Sequence, residues 1–417
     1  MYNNNNSGGF RNFSGRGQSR PAFGGRPARP SFGGPRRPSF GGPRRPRFSA
    51  TKMNPALFIK KATEIVKIEE QKTTNTFEDF NLNPILLANI KSKNFTRPTQ
   101  IQDQAIKPIM EKKDLLGIAD TGTGKTAAFA IPLINSVLAN PNQQILIMAP
   151  TRELAMQIKQ DIRSLTPGLK VYLAIAIGGA FMREQIMDIR RGPHFIIGTP
   201  GRIKDLGTRR VIDFSRITTL VLDEVDRMLD MGFIADIKSI VDQTPKNRQT
   251  LFFSATINRK IETLIGSFLN NPVSISLKNN NPSTHVEQDV VRVPRHLKEQ
   301  KLHEMMAMPE FKKVLVFGAT QRIVEQLSIS LNQKGFKAQS LHGGKPQNKR
   351  TQVIKAYREN IFNILIATDV AARGLDIADI SHVINYDQPN DYDDYTHRIG
   401  RTGRGNAKGY ALTFVEG

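Results

Sequence analysis

From Phe77 onward, apolar runs of strand length alternate with stretches whose apolar positions recur at helical spacing. Leu115 to Ala119, Gln144 to Ala149, Val171 to Ile177, His194 to Ile197, Thr219 to Leu222 and Gln249 to Phe253 read as strands. Gly124 to Leu138, Arg152 to Ser164 and Phe233 to Gln243 read as helices between them. This alternation predicts an α/β fold, a parallel sheet covered by helices on both faces, with function at the C-terminal edge of the strands. Periodicity stops in the polar cluster Asn279-Asn280-Asn281-Pro282-Ser283, which predicts a linker over 279–285. It resumes with strands near Val286 to Val291, Val314 to Phe317, Ala338 to Leu341, Ile364 to Ala367 and His382 to Asn385. The expectation is therefore two α/β domains of unequal size, 77–278 and 286–417, behind a leader at 51–76. The cleft between them is the natural site for a ligand that changes their relative position.

Residues 1–50 follow neither period. They hold ten arginines, no lysine and no acid, and repeat every eight residues: Pro30-Ser-Phe-Gly-Gly-Pro-Arg-Arg37, then Pro38-Ser-Phe-Gly-Gly-Pro-Arg-Arg45. Gly and Pro at this density, with no aliphatic face, cannot offset the entropy of ordering a backbone, so a disordered tail is expected. Phe10, Phe13, Phe23, Phe32, Phe40 and Phe48 interleave with the arginines, setting stacking surfaces beside phosphate-binding charge. Single-stranded nucleic acid without sequence preference is the expected ligand, and a solubilising or self-associating tail with no specific ligand is the bland alternative.

The whole chain, 417 residues at a formal net charge of +23, is basic enough to favour a polyanionic partner. The absence of cysteine excludes disulfides, thiol nucleophiles and cysteine-type zinc sites. No apolar run approaches the roughly 18 residues needed to span a bilayer, and Asn3 to Asn6 lack the apolar stretch of a signal peptide. These features predict a cytoplasmic protein with no membrane partner.

The sharpest local signal is Ala119-Asp120-Thr121-Gly122-Thr123-Gly124-Lys125-Thr126, between a strand and a helix start. Gly122 and Gly124 let backbone N–H groups close on phosphate oxygens at a helix N-terminus. Lys125 would neutralise the β- and γ-phosphates of ATP, and the Thr126 hydroxyl would ligate Mg²⁺. Nearly a hundred residues later, the strand ending at Leu222 delivers Asp223-Glu224-Val225-Asp226. Asp223 is expected to hold Mg²⁺ through water and Glu224 to polarise the attacking water. In the second domain, His397-Arg398-Ile399-Gly400-Arg401-Thr402-Gly403-Arg404 spaces two arginines one helical turn apart. Arg401 and Arg404 could reach the γ-phosphate across the cleft as arginine fingers.

The order of these motifs resembles the DEAD-box RNA helicases of helicase superfamily 2, from Phe77 to about Gly417. Phe77 with Pro98-Thr99-Gln100-Ile101-Gln102 is similar to the family's Q motif, in which Gln102 would read the adenine edge and Phe77 would stack on its ring. Asn94 stands where the family usually has glycine, and Val225 where it has alanine. The resemblance implies two RecA-like parallel-sheet domains in tandem and ATP contacts from Thr121, Gly122, Thr123, Gly124, Lys125, Thr126 and Asp376. It implies RNA contacts from Pro150, Thr151 and Arg152, from Gly178 and Gly179, and from Thr199, Gly201 and Arg202. In the second domain it adds Thr320, Gly343, Gln347, Arg350, Thr368 and Arg373. Ser254, Thr256, Asp226 and His397 would couple nucleotide state to strand separation. A single tripeptide such as Ser254-Ala255-Thr256 carries little information, whereas a dozen such segments in the family's order are specific. The chain ends at Gly417, where the family commonly has further helical residues.

What the resemblance implies is a two-part clamp with ATP and Mg²⁺ as cofactors and RNA as partner. RNA would be gripped by its sugar–phosphate backbone, with weak sequence preference and strong salt dependence. Single strands and short duplexes are the expected substrates, because each base-pair step opened costs on the order of 1 to 2 kcal/mol. A DNA-directed translocase and an RNA-binding scaffold with incidental ATPase are the competing readings.

Overall fold

A computed structural model describes residues 53–61, 73–119, 122–257, 259–277, 285–372, 377, 379–403 and 408–417. The expected tail, most of the expected linker, and Thr121, Arg373, Asp376 and Arg404 lie outside the described residues.

Seven parallel strands build the first sheet: β1 (Leu115–Ala119), β2 (Gln144–Met148), β3 (Leu173–Ala176), β4 (Phe195–Gly198), β5 (Ile217–Leu222), β6 (Gln249–Ser254) and β7 (Val273–Leu277). Their order is β3-β4-β2-β5-β6-β1-β7. Six further parallel strands build the second: β8 (Val286–Arg292), β9 (Val314–Phe317), β10 (Ala338–Leu341), β11 (Ile364–Ala367), β12 (His382–Asn385) and β13 (Gly409–Val415), in the order β10-β11-β9-β12-β13-β8. The expected strands are all present, with ends moved by a residue or two. β7 is an addition that the apolar pattern did not reveal. It lies at the sheet edge, so Val273, Ser274, Ile275, Ser276 and Leu277 alternate in burial and give no continuous apolar run.

Each central strand splits its side chains between two cores. Leu115 and Ala119 of β1 join the apolar cluster on one face, with Phe129, Ile145 and Ile147, while Leu116 and Ile118 join Leu146, Leu220 and Phe252 on the other. In the second lobe Val314 and Val316 face one cluster, Leu315 and Phe317 the other. The period of two sorts the residues, and burial on both faces is why the strands read as unbroken apolar runs.

Two polar side chains hold the first lobe's strands in place from the N-terminal side. Asp114 accepts from Thr250 N (2.7 Å) and Asn270 N (2.7 Å), joining the starts of β1 and β6 to the turn before β7. Gln249 Nε2 donates to the carbonyls of Ile109 (3.0 Å) and Lys113 (2.9 Å). Residues 53–61, expected as part of a leader, pack on the second lobe, where Lys60 pairs antiparallel with Gln288 of β8. Among the described residues no helix is long and apolar enough to cross a membrane.

Asp114→Ala strands the buried Thr250 N–H without its acceptor. The expected cost is about 2 kcal/mol, read as a lower urea midpoint with an unchanged slope; an unchanged midpoint would show the bond to be dispensable.

Candidate functional site

The turn after β1 is shaped by two glycines. Gly122 and Gly124 have φ of 87° and 92°, in the left-handed region that side chains resist. A Cβ on Gly124 would also fall 2.5 Å from Gln102 Nε2. The turn is tied to the helix Gln100–Met110, where Gln102 donates through Nε2 to the Gly124 carbonyl (3.2 Å) and accepts at Oε1 from Thr99 N (3.0 Å). Thr99 Oγ1 donates to the Thr123 carbonyl (2.9 Å). Gln102, expected at an adenine edge, braces this turn. Asn94 has φ of 59°, which accounts for asparagine where glycine is usual, since its short polar side chain tolerates this conformation.

A cavity of about 530 Å³ opens above this turn, lined by Gln102, Lys125, Thr126, Asp223, Glu224 and Arg401. Lys125 begins the helix Lys125–Ala139, and its Nζ donates to the Ala119 carbonyl (2.7 Å). Phe77 is buried in the core, in a shallow hollow that it shares with Phe95. Phe95 is partly exposed and lines both that hollow and the main cavity. It was not singled out from the sequence, although an aromatic directly after Asn94 was a signal available there.

β5 ends at Leu222 and delivers the acids. Asp223 is only 3% exposed. Burial pushes its carboxyl up to about 7, against the pull of the Lys125 ammonium and with a further push from Glu224. Glu224 has φ of 52°, an uncommon conformation for a residue with a side chain. Val225, the departure from alanine, is fully buried in the same apolar cluster as Leu222 and Met228. Asp226 accepts at Oδ2 from Ala255 N (3.1 Å), Thr256 N (3.2 Å) and Thr256 Oγ1 (3.4 Å), while Ser254 Oγ donates to the Thr256 carbonyl (2.8 Å). The acid tip of β5 and the turn after β6 are therefore one hydrogen-bonded unit.

Arg227 was also missed. Its guanidinium is 1% exposed, with Nε 3.3 Å from Glu224 Oε2 and both Nη atoms lacking hydrogen-bond partners. It shares a hollow with Asp369, Asp394, His397, Arg398 and Arg401 of the second lobe. The sequence signal was weak, because an arginine three residues after an acid on a short helix usually faces solvent. On the second lobe, the helix Tyr392–Ile399 carries His397 and Arg398. Arg398 donates to both Asp369 oxygens (2.6 and 2.7 Å) and to the Asp387 carbonyl (2.7 Å). Arg401 follows one turn later and is buried at the cavity wall.

A second groove of about 440 Å³ is lined by Pro150, Arg152, Gly178, Thr199, Gly201 and Arg202 among others, with Gly343 and Arg350 from the second lobe. The Arg152 guanidinium lies against Gly178 and Gly179, where a Cβ on Gly179 would sit 2.2 Å from Nη1. Thr151 and Thr320 cap helices, their hydroxyls accepting from Leu154 N and Ile323 N, both at 3.2 Å. Thr368 N donates to the Leu341 carbonyl (3.2 Å) at the end of β11. Gln347 and Arg350, expected on RNA, engage Glu153 of the first lobe, at 3.0 Å and 2.8 Å. A buried carboxylate needs charged or polar partners, and these two supply them across the cleft. Beside Gly343, His342 Nδ1 accepts from Gly344 N (3.2 Å), so the ring proton sits on Nε2, which donates to Glu325 (2.9 Å).

The sequence pattern of the DEAD/DEAH box helicases matches residues 99–264, and that of the helicase conserved C-terminal domain matches residues 297–406. The ATP-dependent RNA helicase CshA of Limosilactobacillus reuteri is 42% identical over 341 residues, 81% of this chain and 69% of that protein. S. cerevisiae Dbp5 bound to RNA and ADP BeF3 superposes with a TM-score of 0.73 at 30% identity, over 82% of this chain and 90% of that one. Mss116p bound to ssRNA and AMP-PNP gives 0.74 at 28% identity, over 83% and 76%.

Gly124→Ala should abolish nucleotide binding, checked by titration with a fluorescent ATP analogue, because both its φ and the Gln102 contact forbid a side chain; parental affinity would refute this. Hydrogen bonds from Ser340, then His342 and Lys345, hold the Glu325 carboxyl down at about 2. Its stabilising effect should be present above pH 4.5 and fade as pH falls toward 2. Because the side chain is half exposed, the effect should stay under about 1 kcal/mol. Glu325→Gln should melt earlier than the parent at pH 6, with the gap narrowing as the pH is lowered toward 2; a gap that stays constant in acid would count against it.

Proposed function

The chain belongs to the DEAD/DEAH box helicases, and from that premise we propose that it is an ATP-dependent RNA helicase worked by the residues around the two grooves. One observation carries the reading: a single cavity takes Lys125, Asp223 and Glu224 from the first lobe and Arg401 from the second. Such a cavity can sense whether the lobes are together.

ATP lies with its phosphates over Gly122, Thr123 and Gly124, neutralised by Lys125, and with its base toward Gln102, Phe77 and Phe95. Thr121 and Asp376 complete its contacts. The donor set fits Mg²⁺, because Thr126 offers a hydroxyl and Asp223 is a buried carboxyl that burial alone disfavours as an anion. Thr126 and Asp223 would hold the ion, which supplies charge neutralisation at the phosphates when bound. Glu224 takes a proton from the attacking water, and the Arg227 guanidinium 3.3 Å from its carboxylate aims it. Arg401, with Arg404, stabilises charge developing on the γ-phosphate. Asp226, hydrogen-bonded to Ala255 and Thr256, passes the state of the acid tip to the adjacent strand end, and His397 of the second lobe shares a hollow with the neighbouring Arg227.

RNA runs along the other groove, over Pro150, Thr151 and Arg152, Gly178 and Gly179, and Thr199, Gly201 and Arg202. Thr320, Gly343, Thr368 and Arg373 meet it from the second lobe, while Gln347 and Arg350 fasten that lobe to Glu153 beneath it. Since both ligands favour joined lobes, each tightens the other's binding by the same factor. Residues 1–50 add a sequence-tolerant grip on single strands, and a cytoplasmic place suits such work.

Glu224→Gln should bind ATP and RNA as the parent does while RNA-stimulated turnover falls by about 100-fold or more, measured by phosphate release with poly-ribonucleotide and with DNA as control. Loss of ATP binding would remove Glu224 from its role, and equal stimulation by DNA would remove RNA specificity.

A further inference from the structure

Residues 53–61 belong by sequence to the approach to the first lobe, yet they dock on the second. Asn54 accepts at Oδ1 from Ala56 N (3.0 Å) and starts the turn Pro55–Phe58. Lys60 then exchanges both backbone bonds with Gln288 of β8: Lys60 N donates to the Gln288 carbonyl (2.9 Å), and Gln288 N to the Lys60 carbonyl (2.8 Å). This pairing covers the edge of the second sheet. Edge protection would need no more, but the segment does more. Phe58 is 0% exposed and inserts into a cluster with Val286, Tyr395, Ile399, Ala411 and Val415. Its ring centre lies 4.7 Å from that of Tyr395, whose hydroxyl donates to Gln288 Oε1 (3.0 Å).

Tyr395 and Ile399 are four residues apart on the helix Tyr392–Ile399 and so share one face. Arg398 leaves the same helix toward Asp369. The helix is therefore held on one side by the Arg398 ion pair and on another by Phe58. Arg401 N donates to the Arg398 carbonyl (3.1 Å), so the phosphate-facing arginine hangs from the end of the helix so clamped.

We propose that Phe58 is a positioning residue for Arg401, acting through Tyr395 and Ile399 to fix the helix that carries it. This rests on the reading of Arg401 as the group that meets the γ-phosphate. The chain between Lys61 and Thr73, fully extended, spans at most about 40 Å, enough for the segment to stay docked while the lobes part. The strap thus travels with the second lobe as part of it.

The test uses the full chain with four variants, Phe58→Ala, Phe58→Leu, Arg401→Ala and the double Phe58→Ala/Arg401→Ala, assayed for RNA-stimulated ATP turnover. Phe58→Ala should lower kcat by about tenfold with KM for ATP within about twofold, and Phe58→Leu should recover most of the loss. In the Arg401→Ala background the Phe58→Ala change should add nothing, because the group it positions is gone. Equal fractional losses in both backgrounds, or a change in KM alone, would overturn the proposal. If Arg401→Ala itself turns over normally, the underlying reading of Arg401 fails instead. Should Phe58→Ala not fold, Lys60→Pro carries the test, since it removes the N–H that fastens the segment to Gln288 and so loosens the seat of Phe58 without touching the cluster's side chains; a parental kcat there would sink the idea.

Discussion

Parallel strands can deliver their loops only to one edge, and the chemistry of this protein depends on that constraint. β1, β5 and β6 run side by side in the same direction, so the Gly122–Gly124 turn, the acid tip and the Ser254-Ala255-Thr256 turn all emerge together. Asp226 binds the last two of these directly. A shift in any one strand would therefore be felt by all three. Asp114 and Gln249, at the opposite edge, hold β1 and β6 in the register that makes this possible.

The site is rich in groups that folding alone would not choose. Asp223 is a carboxyl that burial pushes toward neutrality, Glu224 adopts a left-handed backbone, and Arg227 buries a guanidinium with unpartnered nitrogens. Each costs stability, by about 1 to 3 kcal/mol for strain or an unpaired polar atom. They tolerate one another because the positive and negative groups lie together. Concentration of such costs at one strand end marks a functional edge in physical terms.

The second lobe contributes by being held at several independent points. Glu153 receives Gln347 and Arg350 at one groove, Arg401 reaches the cavity at the other, and the strap braces the helix behind it. Specific side chains thus join the lobes.

Much of this was legible in the chain itself. Doubly buried strands must be apolar throughout, so the runs from Leu115 to Ala119 and from Val314 to Phe317 announce the two sheets. The turn after β1 takes left-handed backbone at Gly122 and Gly124, and so declares itself by composition. β7 stayed hidden because an edge strand alternates, and Arg227 because charge on a short helix ordinarily faces water. The partners of Gln347 and Arg350, the bracing role of Gln102 and the docking of Phe58 under Tyr395 were decided only in three dimensions. Each joins residues far apart in sequence, and periodicity reports which face of an element is buried but never what lies against it.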